Sequence, residues 1–345
     1  MRQTSGRFVI VAVGLFLMAC ENSAEDAMLS VWASMPDERI VFASRADSSE
    51  GELYSIDKSG SITRLTYNSR HENNPALSPD GTKVAFHAGD ESNPLTYEIY
   101  IIDLLTGVEL RLTNNAVIDG HPDWSPDGSK IVFASFRDSF NRPAGTADIY
   151  VMNANGSDKI RLISSAWEDN DPEWSPNGAF IAFKSTRNTQ TAAREEIFVA
   201  NADGSNIQRL TSVSGWGSDH DPSWSPDSSS IVFERFEGTR PWTDIANIEL
   251  AQTAWRELVP WNIFRVDLSG NAVRLTAHAD QIAWLPTYSI DGSRIMYFLD
   301  EMIFQNSVWI GAWVRMYVMS NDGANPQPLI EDNGHTLTQY YYDWN

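Results

Sequence analysis

The side chains best suited to chemistry in this sequence are histidines and carboxylates in the connections between successive copies of a repeated motif. Five of the six histidines lie there: His71, His121, His220, His278 and His335. Acidic residues accompany them, among them Asp119, Asp171, Asp219 and Asp221. Converging imidazoles and carboxylates can hold a cation, with oxygen-rich sets favouring Ca²⁺ and imidazole-rich sets a transition metal. The sequence contains no Gly-x-Ser-x-Gly, Gly-x-x-x-x-Gly-Lys or His-Glu-x-x-His motif, so it carries no recognised catalytic signature.

An internal repeat must position these residues. A Pro-x-Trp-Ser-Pro-Asp-Gly pattern, complete or weakened, occurs at 74–81, 121–128, 171–178, 221–227 and 285–292. Each copy is followed by an apolar triplet such as 131–133, then by β-prone segments such as 148–152 and 161–163. Pro at the second position and Gly at the fourth position of Ser-Pro-Asp-Gly favour a tight turn. The repeat therefore predicts units of four antiparallel strands, with the Trp packed between neighbouring units.

One of these units is divided between the two ends of the chain. Residues 342–345 read Tyr-Asp-Trp-Asn, which is how a unit begins, whereas 36–42 read as the continuation of a unit. A C-terminal first strand that pairs with an N-terminal second strand closes a ring without an open sheet edge. We therefore predict an all-β fold over residues 36–345. It is a six-bladed β-propeller with four-stranded antiparallel blades, one of them closed by joining the N- and C-terminal strands.

The strand order places the irregular connections at one end of the propeller, where function is usually carried by loops on a rigid scaffold. If the first strand of each blade is innermost, the residues directly before its Pro surround the central channel. These are Asn74, His121, Asp171 and Asp221. With His220, Asp119 and Asp219 they form the predicted channel set. No motif requires a cofactor, and Ca²⁺ in the channel is one hypothesis. The alternative is that these side chains only hydrogen-bond the loops and line a solvated channel.

Two connections between second and third strands, 234–261 and 299–314, are longer than the others and apolar. Residues 244–258 of the first could form a short helix. The aromatic side chains predicted to form a partner-binding rim are Trp242, Trp255, Phe304, Trp309 and Trp313. Apolar loops at such a place either pack on each other or form an interface, and the sequence leaves both alternatives open.

The N-terminal segment has the pattern of an export signal. Arg2 and Arg7 precede an apolar run, 8–18, that is shorter than the roughly 20 apolar residues needed to cross a bilayer. Residues 17–20 resemble the bacterial lipobox, whose cysteine is lipidated, and Cys20 is the single cysteine of the chain. This predicts a lipoprotein signal peptide at 1–19 and a flexible tether at 20–35. The alternative is a buried N-terminal strand with a chance cysteine.

The position after Cys20 bears on localisation. Glu21 stands there instead of the aspartate that retains some lipoproteins at the inner membrane. The resemblance therefore implies an exported protein that is lipid-anchored to a bacterial membrane, the outer membrane in the first place, and that faces the periplasm or the exterior.

The repeats closely resemble the WD40-like propeller repeat of the TolB family, over roughly residues 36–345. Periplasmic TolB has an additional α/β domain before its propeller, for which this sequence offers no room, so its role in envelope assembly is not implied. Oligogalacturonate lyases use a similar propeller with a histidine-held metal. That resemblance would make His121, His220, His278 and His335 ligand candidates, although those lyases have seven blades. A propeller that serves a separate peptidase is a third interpretation.

Composition limits the kinds of partner. With 25 basic and 46 acidic side chains the formal net charge is −21, and no cluster of Lys and Arg is present to bind nucleic-acid phosphates. We therefore predict a monomeric, non-enzymatic scaffold, attached to a membrane by its lipid, that binds an envelope protein or peptide.

Overall fold

The computed structural model describes residues 8–11, 40–44, 51–57, 61–137, 146–187, 194–238, 261–278, 281–305 and 308–328. Every regular element in these ranges is a strand. Helices long and apolar enough to cross a membrane are accordingly absent from them. The predicted all-β fold with four-stranded antiparallel sheets is confirmed, whereas the helix predicted within 244–258 lies outside the described residues.

The described strands follow one another as six consecutive sets of four. The first three sets contain β1 Phe8–Val11, β2 Ile40–Ser44, β3 Glu52–Ile56, β4 Ile62–Arg64, β5 His71–Leu77, β6 Lys83–Asp90, β7 Asn93–Asp103, β8 Glu109–Arg111, β9 Asp119–Trp124, β10 Lys130–Ser135, β11 Asp148–Asn153 and β12 Ile160–Ile163. The last three contain β13 Asp169–Trp174, β14 Phe180–Ser185, β15 Glu196–Asn201, β16 Gln208–Arg209, β17 Ser218–Trp224, β18 Ser230–Phe236, β19 Trp261–Asp267, β20 Ala272–Arg274, β21 Gln281–Tyr288, β22 Arg294–Gln305, β23 Val308–Ser320 and β24 Gln327–Pro328. One parallel bridge, Trp261 to Ile282, joins the fifth and sixth sets.

The Ser-Pro-Asp-Gly segments form the predicted tight turns between first and second strands. In the third set the Gly128 N–H donates to the Ser125 carbonyl over 2.8 Å, and Gly128 has a φ of 71°. The Asp127 carboxylate accepts hydrogen bonds from the Ser125 hydroxyl at 2.7 Å and from the Ser129 N–H at 3.0 Å. The turn is therefore fixed by its own polar side chains as well as by Pro and Gly.

The recurrent tryptophans pack between neighbouring sets, as predicted. Trp124 is buried in one cluster with Ala85 and Ile99 of the second set and with Ile131 and Phe133 of its own. Its indole N–H donates to the Ala76 carbonyl over 3.0 Å, so the polar edge of the ring is satisfied across the same boundary. The apolar core thus lies between successive sheets.

The two ends of the assembly differ in their connections. Because successive strands within sets two to six pair antiparallel, the turns between first and second and between third and fourth strands lie at one end, the turn end. The other connections lie at the opposite end, the loop end. The first strands of successive sets contact one another from β5 through β9, β13 and β17 to β21. They are therefore the inner strands.

The first set departs from the other five, because β1 pairs parallel with β2, from Phe8↔Ile40 to Val11↔Ala43. β1, which lies inside the predicted signal peptide, contacts both β5 and β21. This is the place predicted for the C-terminal strand, and residues 329–345 lie outside the described part of the chain. Closure by the C-terminus and the count of six blades stay predictions.

The connection between second and third strands of the sixth set is not an irregular loop. β22 and β23 pair as far as Gln305↔Val308, with a register shift between Ile303 and Phe304. The prediction of a loop over 299–314 was wrong because this stretch is rich in Val, Ile, Phe and Trp, which favour strands and let the hairpin lengthen.

Candidate functional site

The inner strands share a backbone irregularity directly before their Pro. The ladder between first and second strands shifts register there in sets two to six. The residue before the Pro adopts a left-handed conformation in each case, with φ of 46° at Asn74, 51° at His121, 50° at Asp171, 48° at Asp221 and 48° at Leu285. A bulge re-aims the side chain that it carries, and left-handed non-glycine residues cluster at functional sites. The repeat therefore builds an equivalent side-chain position in each of these sets.

A chain of alternating charges connects three of these sets. The His121 Nδ1 lies 2.7 Å from Oδ1 of Asp171, whose Oδ2 lies 2.9 Å from the Lys184 ammonium. Lys184 also lies 3.4 Å from the Glu195 carboxylate, which in turn lies 2.8 Å from the His220 Nε2. We call His121, Asp171, Lys184, Glu195 and His220 the charged arc. Its two histidines are each held by a buried carboxylate, and one lysine links both carboxylates.

Neighbouring opposite charges favour the charged forms of Asp171, Lys184, Glu195 and His121. Burial alone would raise the pKa of Asp171, but His121 and Lys184 outweigh it and keep that pKa well below its usual value. Burial opposes charge on Lys184 as well, yet Asp171 and Glu195 raise its pKa well above the usual value. Lys184 and His220 overcome the burial of Glu195 and lower its pKa to about 2. For His121, Asp171 offsets burial and raises the imidazole pKa.

Two further carboxylates flank the arc without a full complement of cations. Burial and the charge of Asp171 raise the pKa of Asp221 to about 6. Burial and the charge of Asp221 raise the pKa of Glu234 well above its usual value, although Glu234 accepts a 2.7 Å hydrogen bond from the Leu285 N–H. The carboxyl groups of Asp221 and Glu234 therefore lie close together without enough neighbouring cations to neutralise both of them.

The fold does not require charge at these positions. Asn74 and Leu285 occupy the same left-handed place in the second and sixth sets as His121, Asp171 and Asp221 do in the intervening ones. On the second strand of the fourth set, Lys184 pairs with Asn170, the residue before Asp171. The residue at the equivalent position is Ala134 in the third set and Phe298 in the sixth. An amide, a leucine, an alanine and a phenylalanine therefore occupy the equivalent positions in other sets. Buried charge is therefore concentrated in sets three to five, at positions where other sets carry uncharged residues.

The structure brings together only part of the predicted channel set. Asn74 Nδ2 lies 3.3 Å from His121 Nδ1, and His121, Asp171 and His220 belong to the arc with Asp221 beside it. Asp119 and Asp219 are engaged elsewhere, by Arg137 at 2.7 Å and by Arg235 at 2.5 Å. These buried pairs repeat from set to set, which indicates that they stabilise the blade.

The geometry does not fit a protein-held metal in this region. Across the described ranges no three His, Cys, Asp or Glu side chains are grouped closely enough to hold an ion. The Lys184 ammonium lies between Asp171 and Glu195, where a cation would otherwise neutralise them. The ring nitrogens nearest these carboxylates, His121 Nδ1 and His220 Nε2, are engaged by them. Of the other two histidines proposed as ligands, His278 does not join the arc and His335 lies outside the described residues.

Four residues near the centre do not belong to the predicted channel set: His87, Lys184, Glu195 and Glu234. His87 accepts a 3.3 Å hydrogen bond at Nδ1 from the His121 N–H, and burial with the neighbouring His121 keeps its pKa well below the usual value. His87, Lys184 and Glu234 each follow the Phe of a second strand. A polar residue at that otherwise apolar repeat position was the available signal. Glu195 follows a segment of no fixed pattern and offered none.

The remaining predicted residues are the lipidation site and the aromatic side chains of the rim. Cys20, Trp242 and Trp255 lie outside the described residues. Phe304, Trp309 and Trp313 lie on the extended β22–β23 hairpin, where Phe304 pairs with Trp309 and Glu301 with Trp313 in the backbone register.

Comparison with known proteins agrees with this architecture. The model of the PD40 family, the TolB beta propeller domain, matches residues 58–141. A putative TolB from Agrobacterium tumefaciens aligns with a TM-score of 0.56 and 20% identity, over 78% of this chain and 84% of that one. This chain is a TolB-like β-propeller.

Other solved structures share the TolB-like fold. TolB from Acinetobacter baumannii aligns with a TM-score of 0.57 and 20% identity, over 82% of this chain and 60% of that one. An oligogalacturonate lyase from Vibrio parahaemolyticus gives 0.56 at 14% identity, over 86% and 75% of the two chains. No curated protein matches by sequence. Because one propeller fold carries both TolB and a lyase, the fold alone does not assign an activity to this TolB-like protein.

Asp221→Asn should stabilise the protein at neutral pH. The folded-state pKa of about 6 exceeds the ordinary 3.8, so the unfolded chain ionises Asp221 at lower pH than the folded chain does. The free energy of unfolding therefore falls as the pH rises from 3.8 to about 6, by up to about 3 kcal/mol. Urea unfolding should show the variant more stable than the wild type at pH 7.5 and equal to it at pH 4. Equal stability at both pH values would show that the carboxylate is already compensated.

Proposed function

We propose that this TolB-like propeller is an envelope binding protein that takes a cationic group of a partner protein or peptide at the charged arc. The observation that carries this proposal is the placement of buried charge at repeat positions where the same fold accepts Asn, Leu, Ala and Phe. Such charge is costly to bury and the propeller does not require it. Binding is the simplest role that explains it.

The sign of the unpaired charge supports a cationic ligand. Around the arc five carboxylates interact: Glu168, Asp171, Glu195, Asp221 and Glu234. Lys184 is the one fixed cation among these neighbours in the described part of the chain, and His121 and His220 add charge when they are protonated. An ammonium or guanidinium group would offset the remaining negative charge. The net charge of −21 would speed the approach of such a partner.

The loop end would be the working surface. The connections between the fourth strand of one set and the first strand of the next, such as the one that carries Glu168, open there, as does the β22–β23 hairpin, whereas the opposite end has short repetitive turns. Export and lipid attachment at Cys20 rest on the leader and lipobox pattern of residues 1–20. They would place this surface in the envelope, and we propose the outer membrane.

We further propose that the six sets of strands are the six blades of a closed ring. In the full chain β1 occupies the edge of β2. Cleavage before Cys20 would remove β1 and free that edge for residues 342–345. The Trp-to-Ile register of the other sets, Trp124↔Ile131 and Trp224↔Ile231, then predicts that Trp344 pairs opposite Ile40.

Capture from an envelope extract tests the binding role. Purified protein beginning at residue 21 is immobilised as wild type, as Asp221→Asn and as Asp203→Asn. Asp203 lies in a tight turn at the turn end, where its carboxylate accepts a 2.9 Å hydrogen bond from Ser205 N–H, which an amide oxygen can replace. A lost charge-assisted contact is worth roughly 1.5–3 kcal/mol, so we expect at least tenfold weaker capture by Asp221→Asn alone. Equal capture by all three proteins would refute the proposal.

A further inference from the structure

Exposed large apolar side chains are concentrated at one end of the described part of the molecule. Ten such side chains are exposed, and seven of them lie in the turns between third and fourth strands or in the fourth strands that follow. The seven are Leu105, Val108, Leu110, Ile160, Ile207, Leu268 and Val273. They lie along the outer rim of the turn end, from the second set to the fifth. An apolar rim of this kind marks a contact surface, whereas single exposed apolar residues do not.

The turn between β7 and β8 carries the most exposed of these side chains. Leu105 is 91% exposed, Val108 63% and Leu110 49%. Other sets have polar residues at the position of Leu105. These are Asn155, Asp203, Ser269 and Asp322, each directly before the Gly of its turn. We call residues 104–110 the apolar turn.

Hydrogen bonds hold the apolar turn in one shape. The Asp103 carboxylate accepts a 3.1 Å hydrogen bond from the Leu105 N–H, so the leucine is fixed at the tip. The carboxylates beside the tip have cationic partners, since Asp103 lies 3.8 Å from the Lys83 ammonium and Glu109 pairs with Arg70. Placing the tip in an apolar medium would therefore bury apolar area without burying an unpaired charge.

The chain that leads to the predicted lipid anchor enters the propeller at the same end. β2 begins at Ile40, which pairs with Ile56 directly before the turn of the first set, so residue 40 lies at the turn end. Residues 20–39 separate it from the lipidation site. A flexible segment of that length spans about 25 Å on average. A lipid on Cys20 would therefore keep the turn end close to the bilayer.

Most of the undescribed segments are joined to the opposite end. Residues 138–145, 188–193 and 239–260 each connect a second strand to a third strand, and both flanking strand ends lie at the loop end. Residues 329–345 follow a fourth strand, which also ends there. Residues 58–60 and the segment before residue 40 are the undescribed ranges that adjoin strands at the turn end. What covers the apolar turn is therefore sought outside the chain, at the surface that the anchor brings near.

We propose that the apolar turn inserts its tip into the surface of a zwitterionic lipid bilayer, so that the turn end faces the membrane and the loop end faces away. This inference rests on the lipid anchor of the proposed function. Leu105 and Val108 enter the boundary between headgroups and acyl chains, and the anchor makes this shallow contact effective by holding it close. The net charge of −21 opposes anionic lipid and a second copy of this chain, which selects zwitterionic headgroups.

Fluorescence quenching measures the insertion. The full chain, expressed with its leader and purified from membranes, is placed in phosphatidylcholine vesicles that contain lipids with a nitroxide on the acyl chain. An NBD fluorophore is attached at Thr106→Cys in the apolar turn or at Ala166→Cys, which is exposed at the loop end. An interfacial group lies about 5–10 Å deep, within reach of the nitroxide. We expect quenching of the label at 106 and none of the label at 166.

Substitutions at the two ends provide the matched controls. Leu105→Ser combined with Val108→Ser should abolish the quenching at 106 and leave the melting temperature unchanged, because both side chains are exposed. Leu95→Ser changes a side chain that is 56% exposed on the β6–β7 hairpin at the loop end, and it should leave the quenching as in the wild type.

Two further measurements separate this inference from the proposed function. Asp221→Asn, which would disable the charged arc, should leave the quenching unchanged. Mass spectrometry of Cys20 reports on the lipid anchor by itself. If Cys20 carries no lipid, the chain from residue 21 is held on the same vesicles by an N-terminal histidine tag on a nickel-chelating lipid, and the label at 106 is measured again.

Four results would overturn the inference. Equal quenching at 106 and 166 would show that the propeller has no fixed orientation, and quenching that persists in the double serine variant would show that the apolar side chains do not insert. A label at 106 that iodide cannot reach without vesicles would show that another part of the chain covers the turn. A dimer that the double serine variant abolishes would assign the turn to a second copy.

Discussion

Replacing Lys184 with methionine is expected to destabilise the protein by about 3–5 kcal/mol at pH 8, the usual effect of removing one partner from a buried ion pair. The Lys184 side chain is only 13% exposed and lies within ion-pair distance of Asp171 and Glu195. Methionine has a similar shape but no charge. It leaves two buried carboxylates facing each other with only histidines to compensate them.

The pH dependence distinguishes this electrostatic role from packing. Asp171 and Glu195 have depressed pKa values in the folded state, so their contribution is present above their ordinary pKa near 4 and is lost as pH falls toward about 2. In Lys184→Met the carboxylates would be uncompensated at neutral pH and protonated in acid. The difference from wild type, measured by urea unfolding, should be largest at pH 8 and smallest near pH 4.

The matched control is Lys83→Met. Lys83 lies 3.8 Å from Asp103, and both side chains are about one-third exposed. An exposed ion pair of this kind contributes less than about 1 kcal/mol to the free energy of unfolding. The destabilisation caused by Lys83→Met should therefore vary little with pH. If Lys184→Met lost the same free energy at pH 4 as at pH 8, the lysine would be a packing residue and the arc would lose its electrostatic basis.

Removing residues 339–345 is expected to unfold a chain that begins at residue 21. Ile40 and Val41 on β2 are fully buried, so their edge must be covered by some strand. In the full chain β1 covers it. In a chain that begins at residue 21, residues 342–345 are the proposed cover, and ending that chain at residue 338 would leave the ring open.

A single substitution in the same C-terminal segment gives a loss of stability that can be measured. Trp344→Ala in the chain from residue 21 should cost about 3–5 kcal/mol, the range for a buried tryptophan. Trp216→Ala is the control, because Trp216 is 40% exposed and should cost far less. Chains ending at 338 and 345 that unfold at the same temperature would show that the C-terminus does not complete the fold.

Much of the fold could be predicted from repeated residues because the repeat encodes local physics. The turn at Ser125–Gly128 and the packing of Trp124 are determined by side chains that lie within one repeat or against its neighbour. The hairpin of β22 and β23 was mispredicted because the length of a strand pair depends on where its neighbour β21 ends, and the spacing of motifs does not encode that.

The site was only partly predictable for a related reason. His121 and Asp171 were found because they precede a Pro whose bulge aims them toward the centre. Asp119 and Asp219 stand two positions before His121 and Asp221, and in a regular strand they would share a face with them. The register shift re-aims His121 and Asp221, whereas Asp119 and Asp219 pair with Arg137 and Arg235. Lys184 was overlooked because it lies within a second strand that reads as uniformly apolar. Glu195 joins the arc only through three-dimensional contact with Lys184 and His220.

Site-specific photo-crosslinking in intact cells tests the binding role of the charged arc most directly. A benzophenone amino acid replaces Ala166, which is exposed at the loop end before Glu168, or Asn155, which is exposed at the turn end of the same set. We expect the Ala166 probe to capture one defined partner, the Asn155 probe to capture none, and Asp221→Asn to abolish the captured band. The same partner captured from Asn155, or from Ala166 in the Asp221→Asn protein, would contradict the assignment of the arc as the binding site.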